Sequence, residues 1–351
     1  FGTYPPVLWH GHEMLFGFVG AAIAGFLLTA VPSWTGARGF GGLPLMLLAV
    51  IWMAGRVAFA GLGSLPFAIV AILELQFLPA LAVLVAPPLV RSRNRNTPLL
   101  FVLLALWMID VYFLLALSGE GLAAARHSLL LAIDVVLLLV TVIGGRIVPA
   151  FTASGLRQAG IVLEKKERAL LDGATIVAMV AVVVADLLAP WQTAAGWVAA
   201  LAALLHAARL AGWQGQHSLR MPLVWCLHLA YAWIPIGFGL KAIHLLAGGA
   251  WSGHWLHGLT IGAAAAMILA VMTRASLGHT GRPLVAAAPV AVAYLLLSAC
   301  ALVRVLAPAL PGANYLWTVM LAGLLWLAAF ALFLVVYTPI LFRPRVDGRP
   351  G

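Results

Sequence analysis

A chain of 351 residues that is 64% hydrophobic and 9% charged, with a mean hydropathy of +1.09, does not belong to the soluble globular class. Globular domains are about half apolar and about a quarter charged. The net charge of +10 would suit nucleic acid, but the basic residues lie between long apolar blocks, which is a membrane-topology pattern.

Apolar blocks of about 20 residues span a bilayer as helices. Eleven are predicted, at 9–32, 43–61, 65–90, 97–117, 124–144, 168–188, 193–211, 222–246, 254–277, 284–306 and 313–341. The fold class is therefore all-α, a polytopic transmembrane helix bundle, read as a single transmembrane domain over 1–351. Pro44, Pro66, Pro98, Pro190, Pro222, Pro283 and Pro311 stand at or near helix starts, where proline is tolerated. Pro79, Pro235, Pro289 and Pro339 fall within spans and predict kinks. Cys226 and Cys300 both lie in apolar segments and form no disulfide framework or Cys-x-x-Cys site.

Alternate connections carry Arg38; Arg91, Arg93 and Arg95; Arg146, Arg157, Lys165, Lys166 and Arg168; Arg209 and Arg220; Arg274 and Arg282; and Arg343, Arg345 and Arg349. The opposite connections carry Arg126, with Arg304 near a helix end. The rich side is expected to be cytoplasmic, with the C-terminus there and Phe1 on the outer side. Numbering from Phe1, with no signal-peptide pattern, suggests a start inside a longer chain. A preceding helix would make twelve spans with both ends inside. The longest connection, Arg146 to Arg168, with Glu164-Lys165-Lys166-Glu167, reads as a solvated loop.

The first span opens with Trp9-His10-Gly11-His12-Glu13-Met14, polar groups that are costly at a membrane helix mouth and usually pair or bind a cofactor. His10 and His12 are roughly 200° apart on a helix and do not face one metal together. On α-helical spacing, Met14, Gly17 and Ala21 lie below His10, with Gly25 a turn further. This small-residue face, where a helix or flat macrocycle could approach, ranks His10 slightly above His12 as a heme ligand. Below His12 lie the bulkier Phe16, Val19 and Ile23.

By depth, His10, His12, His127, His244, His254 and His257 fall at outer helix ends, and His206, His217 and His279 at the inner side. His254 and His257, three apart, share a face. They could present two imidazoles to one metal, or one ligand and a supporting partner, or be ordinary interfacial residues. His228 lies deep in Pro222-Leu-Val-Trp-Cys-Leu-His-Leu-Ala-Tyr-Ala-Trp-Ile-Pro235 and needs a metal or a hydrogen-bond partner there. Two glycine-containing corners are expected on the basic side: Gly144-Gly145-Arg146 through Thr152, and Arg274 through His279 and Arg282. Either could bind an anionic group through arginine or could simply end a helix. Arg56, Glu74, Asp110, Asp134 and Lys241 are ionisable within spans and are expected to pair or to line a polar path. Glu13, Asp134 and Trp9 could support a ligating imidazole. No phosphate loop, Gly-x-Ser-x-Gly or His-Glu-x-x-His occurs.

Five ordered stretches together resemble the NnrS family of bacterial membrane proteins. They are Trp9 through Phe18; Ala24 through Gly36; Gly144 through Thr152; Pro222 through Gly237, with His228, Tyr231 and Trp233; and His257 through Gly262 on to Arg274 and Leu277 through Arg282. The resemblance implies a twelve-helix inner-membrane protein holding heme and copper and linked to denitrification and nitric oxide resistance. It also implies His10, His12, His228 and His257 as metal or heme ligands, supported by Arg274, His279 and Arg282, with His10, His12 and His257 at one centre and His244 or His254 nearby. The family often has Ala at Gly11 and Asn at Ser33.

Three functions follow as expectations. The first is a heme–copper protein of the bilayer that binds or detoxifies nitric oxide or relieves its damage, drawing on an unknown electron donor if it is an oxidoreductase. The second is a heme–copper oxidase-like reductase, against which the lack of an adjacent His-His pair argues. The third is a transporter for a metal, heme or small anion.

Overall fold

A computed structural model describes residues 5–162, 168–310, 312 and 314–348. Phe1 to Tyr4, the Glu164-Lys165-Lys166-Glu167 run, Pro311 and Arg349 lie outside the described residues. Eleven helices are long and apolar enough to cross a membrane, in agreement with the eleven predicted spans. They are α1 Pro6–Thr35, α2 Leu43–Ala60, α3 Phe67–Arg91, α4 Leu99–Gly119, α5 Leu122–Gln158, α6 Ala169–Leu188, α7 Thr193–Ala211, α8 Pro222–Ala247, α9 Trp255–His279, α10 Ala288–Leu306 and α11 Tyr315–Leu341. No β-strand forms among the described residues. Leucines, valines and phenylalanines such as Phe101, Leu170, Val83 and Val335 are left exposed on helix faces, as lipid-facing surfaces require.

The chain divides into two compact units, 1–135 and 136–351. In the first, α1 packs on α2 and α3, α2 on α3, and α3 on α4. In the second, α7 lies between α6 and α8, α9 packs on α8 and α10, and α10 on α11.

Three local departures from regular helix matter for the site. The helix of α1 widens to π geometry over Glu13–Val19, directly after His12, and α9 does the same over Gly258–Ala265, directly after His257. Such wide turns free a carbonyl and concentrate at functional sites. Within the wide turn of α1 the Gly17 carbonyl accepts the indole N–H of Trp52 at 3.0 Å as well as the backbone N–H of Gly20. Next, α3 is interrupted between Glu74 and Phe77. Pro79 has no N–H for the carbonyl four residues back, that of Leu75. The Trp107 indole takes that carbonyl at 3.0 Å instead.

A further stretch corrects an expectation. Gly144-Gly145-Arg146 is not a corner, because α5 continues through it to Gln158 with Pro149 inside the helix. The guanidinium of Arg209 on α7 lies so close to Gly145 that any Cβ there would collide with it. These glycines serve close helix packing and do not stop the helix.

The two positions that depart from the resembled family are held differently. A Cβ on Gly11 would come 2.7 Å from Leu129 Cδ1, so the leucine fills the space an alanine would take. Among the described residues, Ser33 bonds to its own helix, at the Thr29 carbonyl, 3.3 Å away.

Candidate metal centre

In the first unit four helices converge on His12, which is fully buried. Its Nε2 lies 3.0 Å from Asp110 Oδ1 on α4 and 3.7 Å from Glu74 Oε1 on α3. Its Nδ1 faces Glu13 Oε1 at 3.4 Å. Arg56 on α2 bridges the acids: Nη1 meets Glu13 Oε1 at 2.5 Å, and Nη2 pairs with Glu74 Oε1. The ring of His12 stacks on Phe59 at 3.9 Å and Phe113 at 4.8 Å between centroids, walls that keep water from the carboxylates.

Local chemistry explains how this cluster fits into an apolar bundle. A Cβ on Gly17 would sit 2.9 Å from Arg56 Nη1, and one on Gly55 would sit 2.9 Å from Glu74 Oε2. Both glycines therefore make room for the ion pairs. Gly17 lies on the charged side of α1, and this corrects the small-residue face assigned to His10. The wide turn after His12 shifts the residues that follow out of α-helical phase, so α-helical spacing no longer predicts which of them lie beneath which histidine. His10 itself is exposed, and the buried imidazole is that of His12.

Glu13, Glu74 and Asp110 bring three carboxyl groups around the single guanidinium of Arg56. Uncompensated charge at this depth is costly. One nitrogen of His12 and one oxygen each of Glu74 and Asp110 lie within 4.8 Å of one another, a spacing that could hold a cation. Glu74 Oε2 is buried with no hydrogen-bond partner among the described residues, which leaves a second carboxylate oxygen for it. One imidazole and two carboxylates suit a divalent first-row metal, including Cu(II), whereas Cu(I) prefers sulfur.

The other expected ligands are held differently. His228, on α8, meets the Thr152 hydroxyl through Nε2 at 2.8 Å. Its ring lies against Gly215, with Trp213 edge-on at 6.2 Å. His257 Nε2 accepts from Arg304 Nη2 at 2.8 Å. His254 lies beside it, ring centroids 6.0 Å apart, and burial and the Arg304 charge hold its imidazole below the usual histidine range. His244 Nδ1 donates to the Gly249 carbonyl at 3.2 Å. His10 and His12 thus belong to the first unit, and His228, His244, His254 and His257 to the second.

The expected anion corner at the end of α9 is already filled by the chain's own C-terminal segment. Arg345 Nη1 donates to the His279 carbonyl at 2.8 Å, and Val346 N to the Thr280 carbonyl at 3.2 Å. Asp347 stands where a Cβ on Gly281 would be 2.7 Å away. A salt bridge to Asp347 raises the Arg345 pKa further. Arg282 bonds the Thr280 carbonyl at 3.4 Å, Arg274 lies over the Phe151 ring at 4.1 Å, and the His279 side chain is exposed.

Of two buried clusters in the second unit, the first holds Lys241, which was expected to pair though its partner was not named, and the second was not anticipated from the sequence. Lys241 pairs with Asp186 and lies 4.9 Å from the Trp255 ring. On α7, His206 Nδ1 meets the Tyr231 hydroxyl at 2.8 Å, and Arg209 binds Asp172 at 2.6 Å, the Thr141 carbonyl at 2.8 Å and Tyr231 at 3.2 Å. The signal available was an arginine one turn from a histidine at a helix end, read only as topology charge.

Residues 1–345 match the family described as NnrS protein. The chain belongs to the NnrS family. At family level that makes it a membrane protein of the nitric oxide response. No curated protein matches it.

Proposed function

We propose that this NnrS-family chain is a metal-binding inner-membrane protein that binds or detoxifies nitric oxide or relieves its damage, with a divalent metal held by His12, Glu74 and Asp110. The observation that carries the reading is a fully buried imidazole set between two buried carboxyl groups, with one donor atom of each residue within 4.8 Å of the others. The donor set fits Cu(II), so the copper expected from the family resemblance is chemically acceptable here.

The chain's own residues supply the rest of the centre. Glu13 would accept the Nδ1 proton of His12, leaving Nε2, which meets Asp110 at 3.0 Å, to exchange its proton for a metal, the arrangement usual behind a metal-bound histidine. Arg56 fixes Glu13 and Glu74 relative to each other. Phe59 and Phe113 exclude water. When bound, the metal would supply a Lewis-acid or redox centre with coordination positions for a small ligand.

Heme fits the described residues less well. The Nε2 atoms of His228 and His257 already meet Thr152 and Arg304. The Nε2 of His206 has no described partner, but that ring is fully buried in packed side chains and offers no face to a macrocycle. These residues therefore do not fit a heme as axial ligands.

The test is elemental analysis of purified protein alongside His12→Ala, Glu74→Gln, Asp110→Asn and, as a control, His10→Ala. Stoichiometric metal in the wild type and the control, lost in the other three, is expected. Equal metal in all five proteins would defeat the assignment.

A further inference from the structure

Arg304 is a half-buried cation without the carboxylate partner that several cations inside the bundle have. Arg56, Arg209 and Lys241 each pair with a carboxylate, whereas no described carboxylate lies within ion-pair distance of Arg304. Its Nη2 donates to the neutral His257 Nε2, and its guanidinium carbon lies 5.7 Å from the Tyr315 ring centroid. Its Nη1 is buried and has no hydrogen-bond partner among the described residues. A guanidinium is always charged, so this donor needs a counter-charge. His254 stands alongside, next to His257.

A fixed guanidinium with one free N–H edge is the usual partner of an oxyanion. His257 holds the Nη2 side, which orients the fork and leaves Nη1 as the binding edge. The same helix ends expose Trp251, Tyr315 and Trp317, aromatics of the kind that mark a membrane–water interface. The occupant can therefore be a free inorganic oxyanion or the phosphate of a lipid headgroup.

We propose that Arg304, oriented by His257 and flanked by His254, binds a compact oxyanion at the mouth of α9 and α10. This goes beyond the metal assignment and involves none of its residues.

The experiment follows thermal unfolding of the full chain in neutral detergent while nitrite, nitrate or inorganic phosphate is titrated. A second arm compares nanodiscs of phosphatidylglycerol with nanodiscs of phosphatidylcholine. The wild type should be stabilised saturably by an inorganic oxyanion, or selectively by phosphatidylglycerol if the headgroup is the occupant. Arg304→Gln should weaken that response by about tenfold or more, the loss expected of a charged hydrogen bond. Arg304→Lys keeps the charge and the fold but not the fork, and should show an intermediate affinity. If neither source stabilises the wild type, or if Arg304→Lys responds as the wild type does, the proposal is wrong, even should Arg304→Gln fail to fold. Metal content, measured on the same samples, reports separately on the His12 centre.

Discussion

Glu13 Oε1 lies 3.4 Å from the Nδ1 of His12, the ring nitrogen opposite the one that meets Asp110. A carboxylate in that position fixes the imidazole tautomer. Glu13→Gln should leave the three donor groups in place yet lower metal affinity on the order of 10–100-fold. A chelator competition titration measures it, and an unchanged affinity would remove Glu13 from the centre.

Gly145 permits the Arg209 guanidinium to lie against α5. Gly145→Ala should destabilise the protein by about 1–3 kcal/mol, the usual range for overpacking. Gly25→Ala, with nothing within 4 Å of the new methyl, should be neutral or slightly stabilising. Thermal unfolding in detergent compares the two, and equal stability would show that Arg209 moves aside without cost.

Lys241 and Asp186 form a fully buried pair. Lys241→Met strands the carboxylate and should cost about 3–5 kcal/mol. Adding Asp186→Leu should recover much of that loss, since an apolar pair of similar size needs no charge compensation. A double variant no better than the single one would mean that the pair is held for function.

The Trp107 indole satisfies the Leu75 carbonyl that Pro79 leaves open. Trp107→Phe keeps the ring and removes the donor. It should destabilise by about 1 kcal/mol, the low end of the cost of an unmet acceptor because this one is part-buried, with little change in metal content. Denaturant unfolding read alongside elemental analysis tests both halves.

The eleven spans were legible because hydrophobic blocks of bilayer length leave little ambiguity. Their internal irregularities were not. Gly144-Gly145-Arg146 with Pro149 looks like a helix end locally, and only Arg209, 64 positions away, shows why the helix continues. Arg56, Glu74 and Asp110 were recognisable as ionisable groups that must find partners in the membrane, but they sit on three helices and nothing local says that His12 is their meeting point. The ranking of His10 over His12 rested on α-helical spacing through Glu13–Val19, where the helix is π. His228 shows the reverse: a partner or a metal was required at its depth, and the structure supplies Thr152.

The wide turns after His12 and His257 act as indexing offsets. Each lets the residues before it keep one rotational setting while the lipid-spanning body behind keeps another. A single-residue deletion within Glu13–Val19 that restored ordinary helix would turn everything N-terminal to it by roughly 100°. His12 would then leave Asp110 and Glu74 with every side chain of the cluster still present, so the length of that short segment is as much a part of the centre as its donors.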